Sequence, residues 1–476
     1  MWQHRMTWRV CGSLVLVAGV SLVARSAQPQ PFEVEIAPVD SRTSPSTSRM
    51  TPWRGVGSCS AAACHGAAGP AGLKGGEFTT WATVDRHARA YAVLFSERSL
   101  QIEQRYRGRQ GALAEHDRLC LSCHDHLDEP FAPAATDCAV REGVGCESCH
   151  GASGRWLGLH NTYTWKGLST EAKEALGMKP TKKLPARARS CITCHVGAPG
   201  SEVNHDLIAA GHPRLNFELS AFLSVMPKHW SERDDKTRYP DLEARAWAVG
   251  QVASAQAALR LLSARARSAS DTRDQPNRTP WPEFAEYSCY ACHHDLNASQ
   301  PGAASTGHSR GTPAWGGWYL PMLSFLADSS PAALPTSSRV SLDALQDLMR
   351  QPLPPADRVA NQAEAAAQSL EGSLDAIQRR PLAAEDVRSL FAKLARAHRD
   401  TGTPRWEQDA QLYLALAALY HAQGDLDPSR RDPQLRPELD VMNQALRFPA
   451  SFDSPTGYVP AAFDRALGTV RARLDR

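Results

Sequence analysis

Cysteine outside a pair is what this sequence has least of. Of 12 cysteines in 476 residues only Cys11 and Cys138 stand alone, and the 183 residues after His293 contain none. An apolar run long enough to span a membrane is also missing. The stretch VCGSLVLVAGVSLVA near the N-terminus has 15 residues, short of the ~20 a spanning helix needs. Charge imbalance is missing too: the formal charge is +3 with no basic run, which argues against a nucleic-acid partner. What remains, 42% hydrophobic and 22% charged residues, is an ordinary soluble composition with length for two or three domains.

The first 26 residues have the layout of an export signal. Arg5 and Arg9 precede the apolar run, and small residues surround Ala24, Ser26 and Ala27 where cleavage would fall. The expected location is therefore periplasmic or extracytoplasmic, with no span beyond an uncleaved N-terminal anchor. Cys11 lies inside the run and is given no role. Residues 27–54, rich in Pro, Ser, Thr and Arg, read as a tether.

The other ten cysteines form five pairs, each followed at once by histidine: Cys59/Cys64–His65, Cys120/Cys123–His124, Cys146/Cys149–His150, Cys191/Cys194–His195 and Cys289/Cys292–His293. Four have the spacing Cys-x-x-Cys-His, the attachment signature of c-type haem. Two thiols add across the porphyrin's two vinyl groups, and the adjacent imidazole reaches the iron as proximal ligand. The first pair has four intervening residues, three of them alanine, and its longer spacer still presents both sulfurs. Disulfides would give no reason for a histidine after every second cysteine. Zinc sites use two such pairs per ion, so five leave one over. The expected cofactor is haem c with its iron, five copies covalently attached. Cys138 reads as a buried small hydrophobe.

All five motifs fall between 59 and 293. The fold class expected is mainly α: a multihaem cytochrome c domain over 55–325, made of short helices and long loops around stacked haems, a linker at 326–340, and a helical bundle over 341–476. One long helix is expected at 241–267, where DLEARAWAVGQVASAQAALRLLSARAR has no proline and one glycine. Apolar residues at three and four spacing, such as Val387, Leu390, Phe391 and Leu394, predict helices within 358–400, 405–423 and 459–474.

Seventeen histidines less five proximal ones leave twelve as second axial ligands. His87 leads, because Val84, His87, Tyr91 and Leu94 follow 3-4-3 spacing on one apolar helix face. His160 follows His150 by ten residues. His212 has its backbone restricted by Gly211 and Pro213, and His205 lies in the same stretch. His294, His126, His229 and His308 rank lower, and His116, His398 and His421 read as surface or core residues. Arg155, Arg214 and Lys228 are available to haem propionates.

With these motifs in view, residues 55–230 resemble the multihaem cytochromes of the cytochrome c-554 type, whose haem arrangement also occurs in hydroxylamine oxidoreductase. The resemblance rests on the first four motifs, the WATVDRHARA stretch, and GVGCESCHGASGRWLGLH with its trailing histidine. It implies that His87 ligates the fourth haem, His160 the first and His212 the third. It also implies a five-coordinate second haem, on His124. The longer first spacer, the fifth motif and the C-terminal helices depart from the family pattern. The expected function is electron relay between redox protein partners, with oligomeric state open. The alternative is an oxidoreductase acting on a small nitrogen or sulfur compound at one open iron. Multihaem nitrite reductases often replace a proximal histidine by lysine, and no Cys-x-x-Cys-Lys occurs here. With ionised propionates counted, about −1 per oxidised haem, the mature holoprotein should carry roughly −5.

Overall fold

Helix and loop make up the whole of the computed structural model, which describes residues 53–107, 113–125, 142–271, 280–289, 315–329, 334–397, 406–448 and 458–475. The described residues contain no β-strand, only two isolated bridges, Ala198–Ser201 and Tyr287–Trp315. No described helix is long and apolar enough to cross a membrane.

The helix Leu242–Ser270 is the axis around which the second half of the chain packs. Alanine-rich and proline-free, it meets the expectation for 241–267. It is buried on most of its circumference, with Trp247, Val249, Val252, Leu259 and Leu262 at or near zero exposure, as a helix enclosed by others must be. Its one interior glycine is there for space: a Cβ on Gly250 would fall 2.6 Å from Leu219 Cβ. Against it lie the fourth motif's helix Leu184–His195, the short Leu219–Val225 helix, and the later helices Ala356–Ser369, Ser373–Arg379 and Trp406–Leu426. Buried polar pairs fix these contacts. Gln251 bonds Gln411 at 3.0 Å, Ser263 donates to the Ala360 carbonyl, and Arg245, paired with Asp241, donates to the Gln378 carbonyl.

One apolar core thus runs from Leu184 to Val470, on both sides of residues 326–340. The stretch expected to be helical over 358–400 is three helices, because Gly372 turns at φ +82° and Pro381 ends the second. Residues 405–423 and 459–474 contain Trp406–Leu426 and Ala461–Leu474. Two further helices are Thr336–Met349, which begins inside the stretch 326–340 expected as a linker, and Leu435–Leu446.

Residues 53–183 are built differently. Their helices are short, and the apolar cluster there is only Leu94, Ala114 and Leu121, with Tyr91 and Cys120 against it. The continuous helix expected around His87 does not form. Glu77–Val84 stops at Asp85, whose carboxylate accepts the His87 N–H at 3.0 Å and starts a separate 3-10 turn, Arg86–Arg89. A short acid that satisfies backbone donors locally competes with helix continuation, and here it wins.

Candidate haem sites

Each described motif histidine is delivered by a helix or turn that the motif itself closes. In the first, the N–H groups of Cys64, His65 and Gly66 all donate to the Ala61 carbonyl. Gly66 is needed there: a Cβ would lie 1.9 Å from the Ser60 carbonyl oxygen. The second motif ends the helix Arg118–His124, capped by Asp117. The third is the helix Cys146–His150, left through Gly151 at φ +85°. The fourth ends Leu184–His195.

Each of these four imidazoles faces one histidine from outside the motifs. Ring centroids are 6.1 Å apart for His65 and His160, 6.1 Å for His87 and His195, 6.4 Å for His124 and His212, and 6.3 Å for His150 and His229. Aromatic rings in ordinary contact span about 4.5–7 Å, so a single pair would mean little. Fourfold repetition, always one motif ring with one other, is not a packing accident. The spacing is also one that two imidazoles holding an iron between them would have: a nitrogen–metal bond of about 2.0–2.1 Å plus about 1.1 Å to the ring centre, taken twice, gives about 6.3 Å.

Hydrogen bonding fixes which nitrogen is available. His124 Nδ1 donates to the Ala90 carbonyl (2.8 Å), His160 Nδ1 to Leu157 (2.6 Å) and His212 Nδ1 to Pro213 (2.8 Å). A carbonyl has no proton to give, so Nδ1 carries the hydrogen and Nε2 keeps its lone pair, the ligating form. His65 and His87 make the same bond to the carboxylates of Glu77 (3.0 Å) and Asp85 (2.9 Å). Burial is the largest single influence and opposes ionisation of both acids. The bonds from these rings and from backbone N–H groups, with the nearby histidine charge, together outweigh it and hold them below the usual carboxylate range. Burial likewise pushes His150 and His195 down to about 4 and lowers His212 and His229, keeping the rings neutral.

The thiols of Cys59 and Cys146 lie within hydrogen-bonding reach, as do those of Cys123 and Cys194. The attachment points of the first and third motifs therefore meet, and so do those of the second and fourth. All nine described cysteines are free, and among the described residues no three His, Cys, Asp or Glu side chains converge on a metal-sized site. Paired imidazoles beside unbridged thiols fit a flat porphyrin between two axial nitrogens and do not fit a tetrahedral ion.

Two placements differ from what the resemblance implied. His212 lies against His124, not His150, and the ring facing His150 is His229, one of the lower-ranked histidines. The sequence MPKHW carries no helical face to mark His229. The carboxylate that joins the first and third motifs also passed unseen. Glu147, inside the third motif and 3% exposed, accepts the N–H groups of Arg54 (3.0 Å), Gly55 (2.8 Å) and Ser153 (2.6 Å). His205 starts the helix His205–Ala210 and packs edge-on to Phe284 at 5.7 Å, facing no described motif histidine. Cys289 is described, with Arg214 Nη1 3.0 Å from its sulfur and Glu407 holding the same guanidinium at 2.7 Å. Its partners Cys292 and His293, together with Cys138, His126, His294 and His308, lie outside the described residues.

The fold is mainly helical, and the four described Cys–Cys–His motifs each set their imidazole against a second histidine. Residues 58–151 match the family described as cytochrome c554 and c-prime. No curated protein and no solved structure matches the chain.

Proposed function

We propose that the protein is an exported pentahaem electron relay, with the proximal ligands His65, His124, His150, His195 and His293 paired to a second histidine. The observation that carries this reading is the His124–His212 pair. A relay needs both axial positions closed, whereas a small-molecule oxidoreductase needs one open. Bound haem supplies a one-electron iron couple, and the protein's part is to close, orient and insulate it. His160, His212, His229 and His87 close the first to fourth sites in that order. The Nδ1 partners of His160, His212 and His87 raise ligand basicity and hold ring orientation. Contact between Cys59 and Cys146, and between Cys123 and Cys194, brings neighbouring attachment points together, as transfer along a cluster requires. His205, beside the turn that leads to Cys289, is the second ligand assigned to the fifth site.

The test is the spin state of mature, fully loaded protein. Pyridine haemochrome should give five haems per chain, and the oxidised spectrum should be low-spin and indifferent to cyanide or nitric oxide. His212→Ala should convert one haem to a high-spin form that binds cyanide. A wild-type high-spin component that shifts with added ligand would sink the relay reading and favour an oxidoreductase.

A further inference from the structure

One described segment carries a clear excess of basic side chains. Residues 155–183 carry Arg155, Lys166, Lys173, Lys179, Lys182 and Lys183 against Glu171 and Glu174, a net +4. The whole chain carries +3, so everything outside the segment sums to −1. The haem propionates make that remainder more negative still.

The segment folds back on an aromatic centre. Trp156 lies 6.4 Å from Trp165, Lys173 sits over Trp165, and Arg155 donates to the Ala175 carbonyl at 3.1 Å. It is also the cover of the first histidine pair. Trp156 is edge-on to His160 at 5.6 Å, and Lys179 is tied to the third motif through the Ser148 and His150 carbonyls. At its surface Tyr163 is 90% exposed with Lys166 beside it, Leu159 is exposed, and so are Arg155, Lys182 and Lys183. The first motif is the one that reaches solvent: of the described motif cysteines, only Cys64 is exposed.

We infer that residues 155–183 are the docking face for an acidic redox protein, and that electrons enter or leave through the first haem site beneath it. The inference rests on the relay reading. Exposed aromatic and aliphatic side chains in one segment with exposed cations, Lys166 directly over Tyr163, have the composition of a transient interface. A basic face on an otherwise acidic holoprotein also turns an approaching anionic partner toward one port.

The experiment uses loaded holoprotein and the triple variant Lys166→Glu, Lys182→Glu, Lys183→Glu, all three exposed and outside the histidine sites. The probe is fully reduced flavodoxin, an acidic protein: its flavin loses one electron and one ferric iron gains it. The second-order rate should fall with rising salt in the wild type. In the variant it should drop about tenfold or more at low salt, while reduction by the methyl viologen radical cation is not slowed. An unchanged flavodoxin rate in the variant would overturn the assignment. So would a wild-type rate that rises with salt, or a variant that loses only its binding to phosphatidylserine vesicles, which would make the face a membrane contact. Spin state and haem count, measured on the same samples, separate failure of this docking face from failure of the relay reading.

Discussion

At the scale of single residues, Glu147 shows how much a haem motif's spacer can carry. Within Cys-Glu-Ser-Cys-His only the cysteines and the histidine are demanded by haem attachment. The glutamate nonetheless takes three backbone donors from Arg54, Gly55 and Ser153 in a buried place. Hydrogen bonds to a charged acceptor are each worth about 1.5–3 kcal/mol, and stranded donors add their desolvation cost. Glu147→Ala should therefore lower stability by about 3 kcal/mol or more, read from the denaturant midpoint. It should also loosen the residues just ahead of the first motif, so that intact mass shows a population lacking one haem. Glu147→Gln, which keeps one acceptor oxygen, should lie between. Cys-x-x-Cys-His could be read because attachment chemistry constrains it absolutely. Glu147 and His229 could not, because their partners are brought near only by the fold.

Among elements, the sequence is a good guide where a helix is long and a poor one where a side chain competes with it. Leu242–Ser270 is announced by 29 residues without proline. The break at Asp85 hangs on two hydrogen bonds to one carboxylate. Yet the histidine ranked first from the supposed helical face, His87, does lie opposite a motif histidine, because the 3-10 turn delivers the ring that the helix was expected to deliver. The order His212 to the second site and His229 to the third follows from how Leu219–Val225 and its flanks pack, not from distance along the chain.

Glu218 caps that short helix, accepting the N–H groups of Ser220 (2.9 Å) and Ala221 (2.7 Å). Burial nevertheless drives its carboxyl from 4.5 up to about 7, the two backbone bonds only partly opposing it. The folded state thus binds this proton more tightly than the unfolded chain does. The stabilisation is fully present below about pH 4.5 and is lost as pH rises toward 7, a change of about 3 kcal/mol at 1.36 kcal/mol per pH unit. Unfolding free energy followed over that window should show this decline. Glu218→Gln, neutral throughout and still able to accept a bond, should remove Glu218's contribution to it. If the two proteins keep identical pH profiles, Glu218 is ionised in the fold and the argument from burial fails.

Over the whole molecule, apolar burial is unequally divided. From Leu184 onward the buried side chains form one continuous core, including Trp247, Phe391, Leu416 and Phe463. Before Leu184 the described buried apolar residues are Val56, Leu94, Ala114, Leu121, Trp156 and Trp165. On the pentahaem reading, a stretch carrying three Cys–Cys–His motifs with so little core of its own takes its apolar interior from the porphyrins, as small domains lacking a core depend on cofactors or cross-links. The later core is side chain on side chain and does not need them. Protein made in a host without cytochrome maturation should therefore keep most of its helical circular dichroism, since the long helices lie after residue 184. Limited proteolysis should cut it readily within 53–183 and leave a resistant fragment beginning near the fourth motif, identifiable by mass. The matured protein under the same protease should resist over both stretches. Equal protection of the two stretches in the haem-free protein would mean that residues 53–183 hold together by contacts other than those to haem.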